Sequence, residues 1–245
     1  APPHRSRHHW LRARAGLEHA PVPLQVWSSW VDAHLATHAL ARPHTYRVPQ
    51  QLVLCAWNHY LAADGDPFKP LDAPADPPLA EQWRMIIGFL DAHLKDEAPA
   101  RSEIRFITLN SGGWTTVSNW PPPGFAPRRW YLGSERRLQL APPQEALAVD
   151  RYEVDFEATT GDASRWNHFT PDIVYPDRAA ADGRLLTYTS EPLESDLEVT
   201  GSPVVHLEVL SSATDGAFHA YLEDVAPDGR VTYVTEGALR ALHRQ

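Results

Sequence analysis

The sequence predicts an α/β segment followed by an all-β unit, and three observations carry that prediction. Two near-continuous apolar runs, Val22–Trp27 and Gln51–Trp57, flank a stretch with helical spacing. Apolar runs of this kind separated by a helix mark parallel strands buried on both faces. A third element, with Leu79, Trp83, Ile86, Ile87, Leu90 and Leu94 on one helical stripe, follows them. Beyond about residue 100 the pattern changes to many short β-type runs separated by Gly, Pro, Asn and Asp clusters, with no helix between them.

Taken in order, residues 1–20 are rich in His and Arg, and they read as a polar lead into the first strand. Arg5, Arg7, Arg12 and Arg14 form a solvated face, and His4, His8 and His9 a weak metal-binding signal. The strand Val22–Trp27 ends in Ser28-Ser29-Trp30-Val31-Asp32. From Asp32 the apolar residues Leu35, Ala36, Ala39 and Leu40 take helical spacing, and Arg42-Pro43 stops the helix. The second strand is followed at once by Asn58-His59. A crossover of this length returns the chain in the same direction, so both strands finish at one sheet edge, where sites form in open α/β sheets. Topology therefore brings Asp32 and His59 together. A neutral histidine accepts a proton near neutral pH, and a carboxylate on its other nitrogen fixes the tautomer and stabilises the imidazolium. The alternative is that Asp32 caps the helix and His59 is an ordinary loop residue.

Residues 61–78 read as a polar, proline-rich surface loop, and Asp76 before Pro77-Pro78 as the N-cap of the following helix, whose apolar stripe should cover the sheet. His34 and His38 lie one helical turn apart, without the third ligand a metal site needs. In the β region, Ile104–Leu109, Arg129–Leu132, Leu138–Leu140, Tyr152–Phe156, Leu185–Thr189, Leu197–Thr200, Val204–Leu210, Phe218–Val225 and Val231–Thr235 are the expected strands, and Pro227-Asp228-Gly229-Arg230 is a hairpin turn. Short strands without helices indicate an antiparallel β-sandwich of the jelly-roll kind. Trp114, Trp120, Trp130 and Trp166 suit either a sugar-stacking platform or core and seam positions. Asp215, Asp224 and Asp228 suit either Ca²⁺ ligation or turn chemistry.

Composition narrows the function classes. A net charge of −9 and a pI near 5.8 argue against nucleic-acid binding. The lone Cys55 excludes an internal disulfide and suits either a reducing compartment, such as the cytoplasm, or simple indifference to redox. No apolar run reaches the ~20 residues that span a bilayer, so no membrane partner is expected.

Several motifs in fixed order resemble the cocaine-esterase and Xaa-Pro dipeptidyl-peptidase (CocE/NonD) family of serine hydrolases. Trp30-Val31-Asp32 is similar to that family's Gly-Trp-Tyr-Asp segment, and Leu52–His59 to its Leu-Val-Ile-Gly-Pro-Trp-x-His. Phe89–Lys95, Gly112-Gly113-Trp114, Trp120-Pro121, Arg129–Leu132, Leu186–Leu193, Glu198–Gly201, Asp224–Arg230, Glu236-Gly237 and Leu239-Arg240 continue the likeness. The sequence departs from the pattern at Ser29, Val31, Cys55, Ala56 and Tyr60. The resemblance implies that Asp32 and His59 are the acid and base of a catalytic triad. It also implies that residues 1–98 are the C-terminal part of an α/β-hydrolase domain and residues 99–245 a jelly-roll β-sandwich. The family's pattern runs on past Gln245, so a closing strand is expected to be missing. Family substrates range over esters, acylated β-lactams and N-terminal dipeptides. In α/β-hydrolases the chain order is Ser, Asp or Glu, His. No Gly-x-Ser-x-Gly elbow occurs here, so the nucleophile is expected outside these residues and the chain alone to be inactive. The expectation is thus a serine-dependent hydrolase of small ester, amide or peptide substrates, with no cofactor or metal, and an apolar sheet edge prone to homo-oligomerisation. The competing expectation is a non-catalytic, carbohydrate-binding sandwich.

Overall fold

A computed structural model describes residues 16, 18, 19, 22–95, 101–144, 149–161, 163–166 and 173–243. His4, His8, His9 and the early arginines lie outside these. The chain divides into two compact units, one of Ala1–Pro123 with Ala163–Val174, the other of Gly124–Asp162 with Tyr175–Gln245.

The first unit is built on a four-stranded sheet in the order β1-β2-β3-β4. Strands β1 (Leu24–Ser29) and β2 (Gln50–Cys55) are parallel, Leu24 opposite Gln50 and Ser29 opposite Cys55, as the two apolar runs required. Between them runs α1 (Leu35–Thr45). It starts three residues after Asp32, and it carries Pro43 inside its last turn instead of stopping there. The helix tolerates that proline because its end is close, and Tyr46 N–H still bonds the Arg42 carbonyl. Strand side chains alternate between the two faces. Leu52 and Leu54 meet Ala36, Ala39 and Leu40 of α1 with Ile104, Phe106 and Trp120, while Val53, Cys55 and Trp57 meet Ala75 and Ile107 on the other face.

Strand β3 (Glu103–Ile107) corrects the expectation that everything beyond residue 100 is antiparallel. It pairs parallel to β2 with Leu52 opposite Ile104, and only then does β4 (Trp114–Val117) turn back antiparallel. Ile104, Phe106 and Ile107 are all buried, so this strand needs cover on both faces.

Helix α2 (Leu79–Leu94) forms where its periodicity placed it but presents a different face. Leu79, Trp83, Ile87, Leu90 and Leu94 are exposed, whereas the buried position is Gln82. Its amide donates to the carbonyls of Leu61 (3.2 Å) and Pro77 (2.9 Å), so a polar anchor docks the helix. The expected Asp76 cap is absent: Pro78 is the N-cap residue and makes no side-chain bond. The loop of 61–78 is also less superficial than its composition suggests. Asp64, Gly65, Asp66 and Pro67 are buried, with Asp64 accepting from Asp66 N–H (2.8 Å) and Lys69 Nζ (2.6 Å).

The second unit holds β5 (Tyr131–Leu132) with β6 (Leu138–Gln139), a short α3 (Ala179–Asp182), and the hairpin of β7 (Ala217–Val225) and β8 (Val231–Arg240), both pairs antiparallel. The hairpin turns at Pro227–Arg230 as expected, with Gly229 at φ 87° and Ala226 N–H bonded to the Arg230 carbonyl. Tyr152–Phe156, Leu197–Thr200 and Val204–Leu210 are not strands here, and Leu185–Thr189 holds only a bridge between Thr189 and Arg137. Their composition is β-prone, but strand formation is a matter of pairing and packing, which these segments do not find among the described residues. Arg178 is buried against Glu223 and Asp182 and sits over the Tyr221 ring at 4.4 Å. Tyr175 stacks on Tyr233 at 4.7 Å.

Candidate active site

Parallel β1 and β2 end at the same edge, and the residues that follow each strand hold the candidate pair. After β1 the ladder continues one residue further, with Trp30 N–H bonded to the Cys55 carbonyl at 2.8 Å. The Trp30 indole N–H then bonds the Ile107 carbonyl at 2.9 Å, so the start of the turn is fixed across three strands. The buried Ser29 hydroxyl accepts from Val31 N–H at 3.2 Å. Ala33, just beyond Asp32, is left-handed at φ 46°. Its N–H donates to the carbonyl of Arg165 (3.1 Å), and the Arg165 guanidinium donates to the carbonyl of Trp30 (3.2 Å).

After β2, Trp57 and Asn58 are buried and His59 emerges. The Asn58 carboxamide oxygen accepts from Ala62 N–H at 3.2 Å, and Asn58 N–H donates to the Ala63 carbonyl at 3.0 Å, which shapes the loop behind the histidine. Gly65 N–H closes on the Ala56 carbonyl at 2.6 Å. A Cβ at Gly65 would lie 2.8 Å from the Val31 side chain, so glycine permits this loop to press against the acid turn.

The His59 ring Nδ1 lies 3.0 Å from Asp32 Oδ2. An ionised carboxylate only accepts, so Nδ1 carries the proton and Nε2 is the nitrogen that Asp32 does not engage. The Asp32 side chain is 10% exposed and that of His59 39%. The acid is thus sequestered while the ring reaches solvent, the arrangement of a base whose tautomer is fixed from behind. Asp32 Oδ1 is buried with no hydrogen-bond partner among the described residues. Tyr60 stands edge-on to His59 at 5.9 Å. Cys55 is fully buried at the foot of the site, and burial pushes its thiol far above the ordinary range, so it offers no thiolate.

The other candidates are placed elsewhere. His34 and His38 contact ring to ring at 4.5 Å, and among the described residues no group of three or more His, Cys, Asp or Glu could hold a metal ion. Asp215 bonds Arg240 (2.8 and 2.5 Å), and Asp228 accepts from Arg230 N–H in the hairpin turn. Trp120 is a core residue against Trp30 and Phe106, Trp114 packs under Arg105, Trp130 lies under Arg128, and Trp166 lies under Arg165. Sequence reasoning missed Asn58, Gly65 and Arg165. The first two carry a signal, an Asn beside the base and a Gly inside an acidic loop. Arg165, 135 residues from Trp30, carries none.

Comparison with known proteins bears on this site. Residues 92–245 match the X-Pro dipeptidyl-peptidase C-terminal non-catalytic domain, a span that begins after both Asp32 and His59. The chain is 39% identical over 226 residues to the protein named Putative serine esterase Mb1866c of Mycobacterium bovis, covering 89% of this chain and 35% of that protein. It is 27% identical over 215 residues to the cocaine esterase of a Rhodococcus species, covering 80% of this chain and 36% of that enzyme. The chain therefore spans about a third of the length of the curated relatives it matches. A solved aminopeptidase from a marine sediment archaeon, Thaumarchaeota archaeon, shares its fold with TM-score 0.66 and 19% identity, covering 98% of this chain and 46% of that structure.

Proposed function

We propose, since this chain belongs to the CocE/NonD family of serine hydrolases and carries its X-Pro dipeptidyl-peptidase C-terminal non-catalytic domain, that it supplies the acid and base of a serine-dependent acyl hydrolase. In this reading residues 1–98 are the C-terminal part of an α/β-hydrolase domain, and residues 99–245 a jelly-roll domain. The nucleophilic serine comes from a segment outside these residues. His59 Nε2 takes the serine proton as the oxygen–carbonyl bond forms, then gives that proton to the departing alcohol or amine. Water repeats the sequence against the acyl-enzyme and releases the acid. Asp32 holds the ring and stabilises the imidazolium throughout. Substrates are small esters, amides or peptides. The open side of β1 in the described sheet supports self-association of the isolated chain.

One observation carries this reading: the 3.0 Å contact between Asp32 and His59 at the shared end of two parallel strands. The test is hydrolysis of an activated ester by the longer polypeptide that contains both this chain and the serine. Asp32→Asn should lower kcat roughly ten-thousand-fold, with the fold intact, because it leaves the base in the wrong tautomer. Unchanged turnover in both Asp32→Asn and His59→Ala defeats the assignment. A second reading, a binding module that performs no chemistry, draws on the non-catalytic description of residues 92–245. That span excludes both site residues, so the first reading is preferred.

A further inference from the structure

We propose that Arg165 is a positioning residue for the acid of this pair, acting from the span that matches the non-catalytic domain; the proposal rests on the reading of Asp32 and His59 as acid and base. An ionised carboxylate has two accepting oxygens, and a donor on each would fix its direction. Here Oδ2 meets His59, and Oδ1 is buried with no hydrogen-bond partner among the described residues. The direction of the carboxylate therefore depends on the backbone of the turn that bears it.

That backbone is held at its start by the bonds of Trp30 and at its far side by Leu35 N–H on the Asp32 carbonyl (3.1 Å). The N–H of Asp32 itself and the strained residue after it are not held so closely from the sheet. Trp30 is the last residue on the ladder. Asp32 N–H reaches the Ser29 carbonyl only at 3.5 Å, the limit of a hydrogen bond. Ala33 occupies the left-handed region at φ 46°, where a residue with a Cβ is strained and must be held by its surroundings. Arg165 supplies the hold. Its guanidinium binds the carbonyl of Trp30 and its own carbonyl binds Ala33 N–H, so one residue brackets both ends of the turn around Asp32. The guanidinium also lies over the Trp166 ring at 5.1 Å, which limits its freedom and steadies the bracket. Behind the turn, Gly65 lets the 64–67 loop seat against Val31. The acid turn is thus met both by that loop and by Arg165. Residue 165 falls inside the matched span 92–245, so a stretch of a domain described as non-catalytic governs the geometry of the pair.

The experiment is ¹⁵N NMR of the 245-residue chain, reading the His59 Nδ1–H resonance that a hydrogen bond to Asp32 protects from exchange. His59→Gln assigns it. In Arg165→Met, which keeps an unbranched stem and removes the guanidinium with all its donors, the resonance should be lost to exchange while the β2 amides keep their shifts. Arg165→Lys, which keeps a cationic donor on a long unbranched stem, should restore it at least in part. A resonance retained in Arg165→Met overturns the proposal and leaves the acid–base pair standing. Loss of the β2 amides in Arg165→Met also overturns it, since Arg165 would then support the fold in general. Loss in Met and Lys alike, with the β2 amides intact, counts against the bracket through Trp30. A wild-type chain that lacks the resonance defeats the pair itself, and the proposal falls with it.

Discussion

The two units of this chain are held together by different forces. In the sheet unit, Leu52, Leu54, Cys55 and Trp57 of one strand and its extension lose all contact with solvent, and both faces of the sheet are covered. In the second unit, the buried apolar side chains among the described residues are Val231 and Tyr233, beside a buried arginine, while Phe156 and Leu210 stand 89% and 97% exposed. The first unit rests on apolar burial, the second on a hairpin whose Glu223 bonds the buried Arg178, itself also bonded to Asp182. What this contrast teaches is where the candidate pair is placed: the Asp32–His59 contact sits at the end of strands buried on both faces, in the unit with the larger apolar core.

The sharpest way to break the comparison is to remove one anchor from each side. Trp57→Ala deletes a fully buried side chain that stacks on Trp27 at 5.3 Å and donates to the Asp76 carbonyl. It should cost about 3–5 kcal/mol of sheet-unit stability in denaturant unfolding. Arg178→Met in the second unit should cost a similar ~3–5 kcal/mol, because it leaves two carboxyls buried without their cation. Val231→Ala there should cost only about 1.6 kcal/mol, two methylene equivalents. If Val231→Ala proves worse than Arg178→Met, the second unit is an apolar core after all.

A smaller effect is expected at Gly65. Gly65→Ala places a Cβ 2.8 Å from Val31 Cγ2 and 3.3 Å from the Ala56 carbonyl, and should cost roughly 1–3 kcal/mol. It should also move the His59 ring resonances, since Val31 adjoins Asp32. Unmoved ring resonances would separate the loop from the site.

The pH response distinguishes the units more gently. Burial and the Asp182 carboxyl push Glu223 up to about 7 from an ordinary 4.5, against the pull of Arg178. The folded unit then keeps a proton that the unfolded chain releases. Stability from this group is complete below 4.5 and is lost as pH rises through about 7. In the opposite sense, hydrogen bonds from Arg184 and Arg240 hold Asp155 and Asp215 below the ordinary carboxylate value of 3.8. Their contribution is present above 3.8 and is lost only at lower pH. Thermal melts should therefore show the second unit less stable at about pH 7.5 than at about pH 5, and Glu223→Gln should remove that slope. A melting temperature that rises over the same interval would contradict it. The smallest expected stability effect is at His59: a ring more than a third exposed, whose truncation to Ala should change unfolding by about 0.5 kcal/mol or less.

The legible part of this molecule follows the same division. Two apolar runs separated by a helix left one arrangement open, parallel strands with a shared end, and Asp32 and His59 followed from it. The Asp-Gly turn of the hairpin was equally local. Helix α2 was legible as a helix but not in its orientation, because it bears two apolar stripes. Leu79, Trp83, Ile86, Ile87, Leu90 and Leu94 form one, and Met85 and Phe89 begin the other. Gln82, which docks the helix, looks like a surface residue until the Leu61 and Pro77 carbonyls meet it. Ile104–Ile107 was misread because its partner β2 lies across a long connection, which periodicity does not see. Arg165 had no signal at all, since its role arises from a contact 135 residues away.

The central claim is that these residues hold an acid and a base awaiting a serine from elsewhere. Labelling with a fluorophosphonate probe, read by peptide mapping, tests it most directly. The account predicts no labelled serine in the purified 245-residue chain. In the longer polypeptide that contains it, a single labelled serine should lie outside these residues, and His59→Ala should abolish the labelling. Stoichiometric labelling of a serine within the chain, lost in His59→Ala, would contradict the account by showing that the chain carries its own nucleophile.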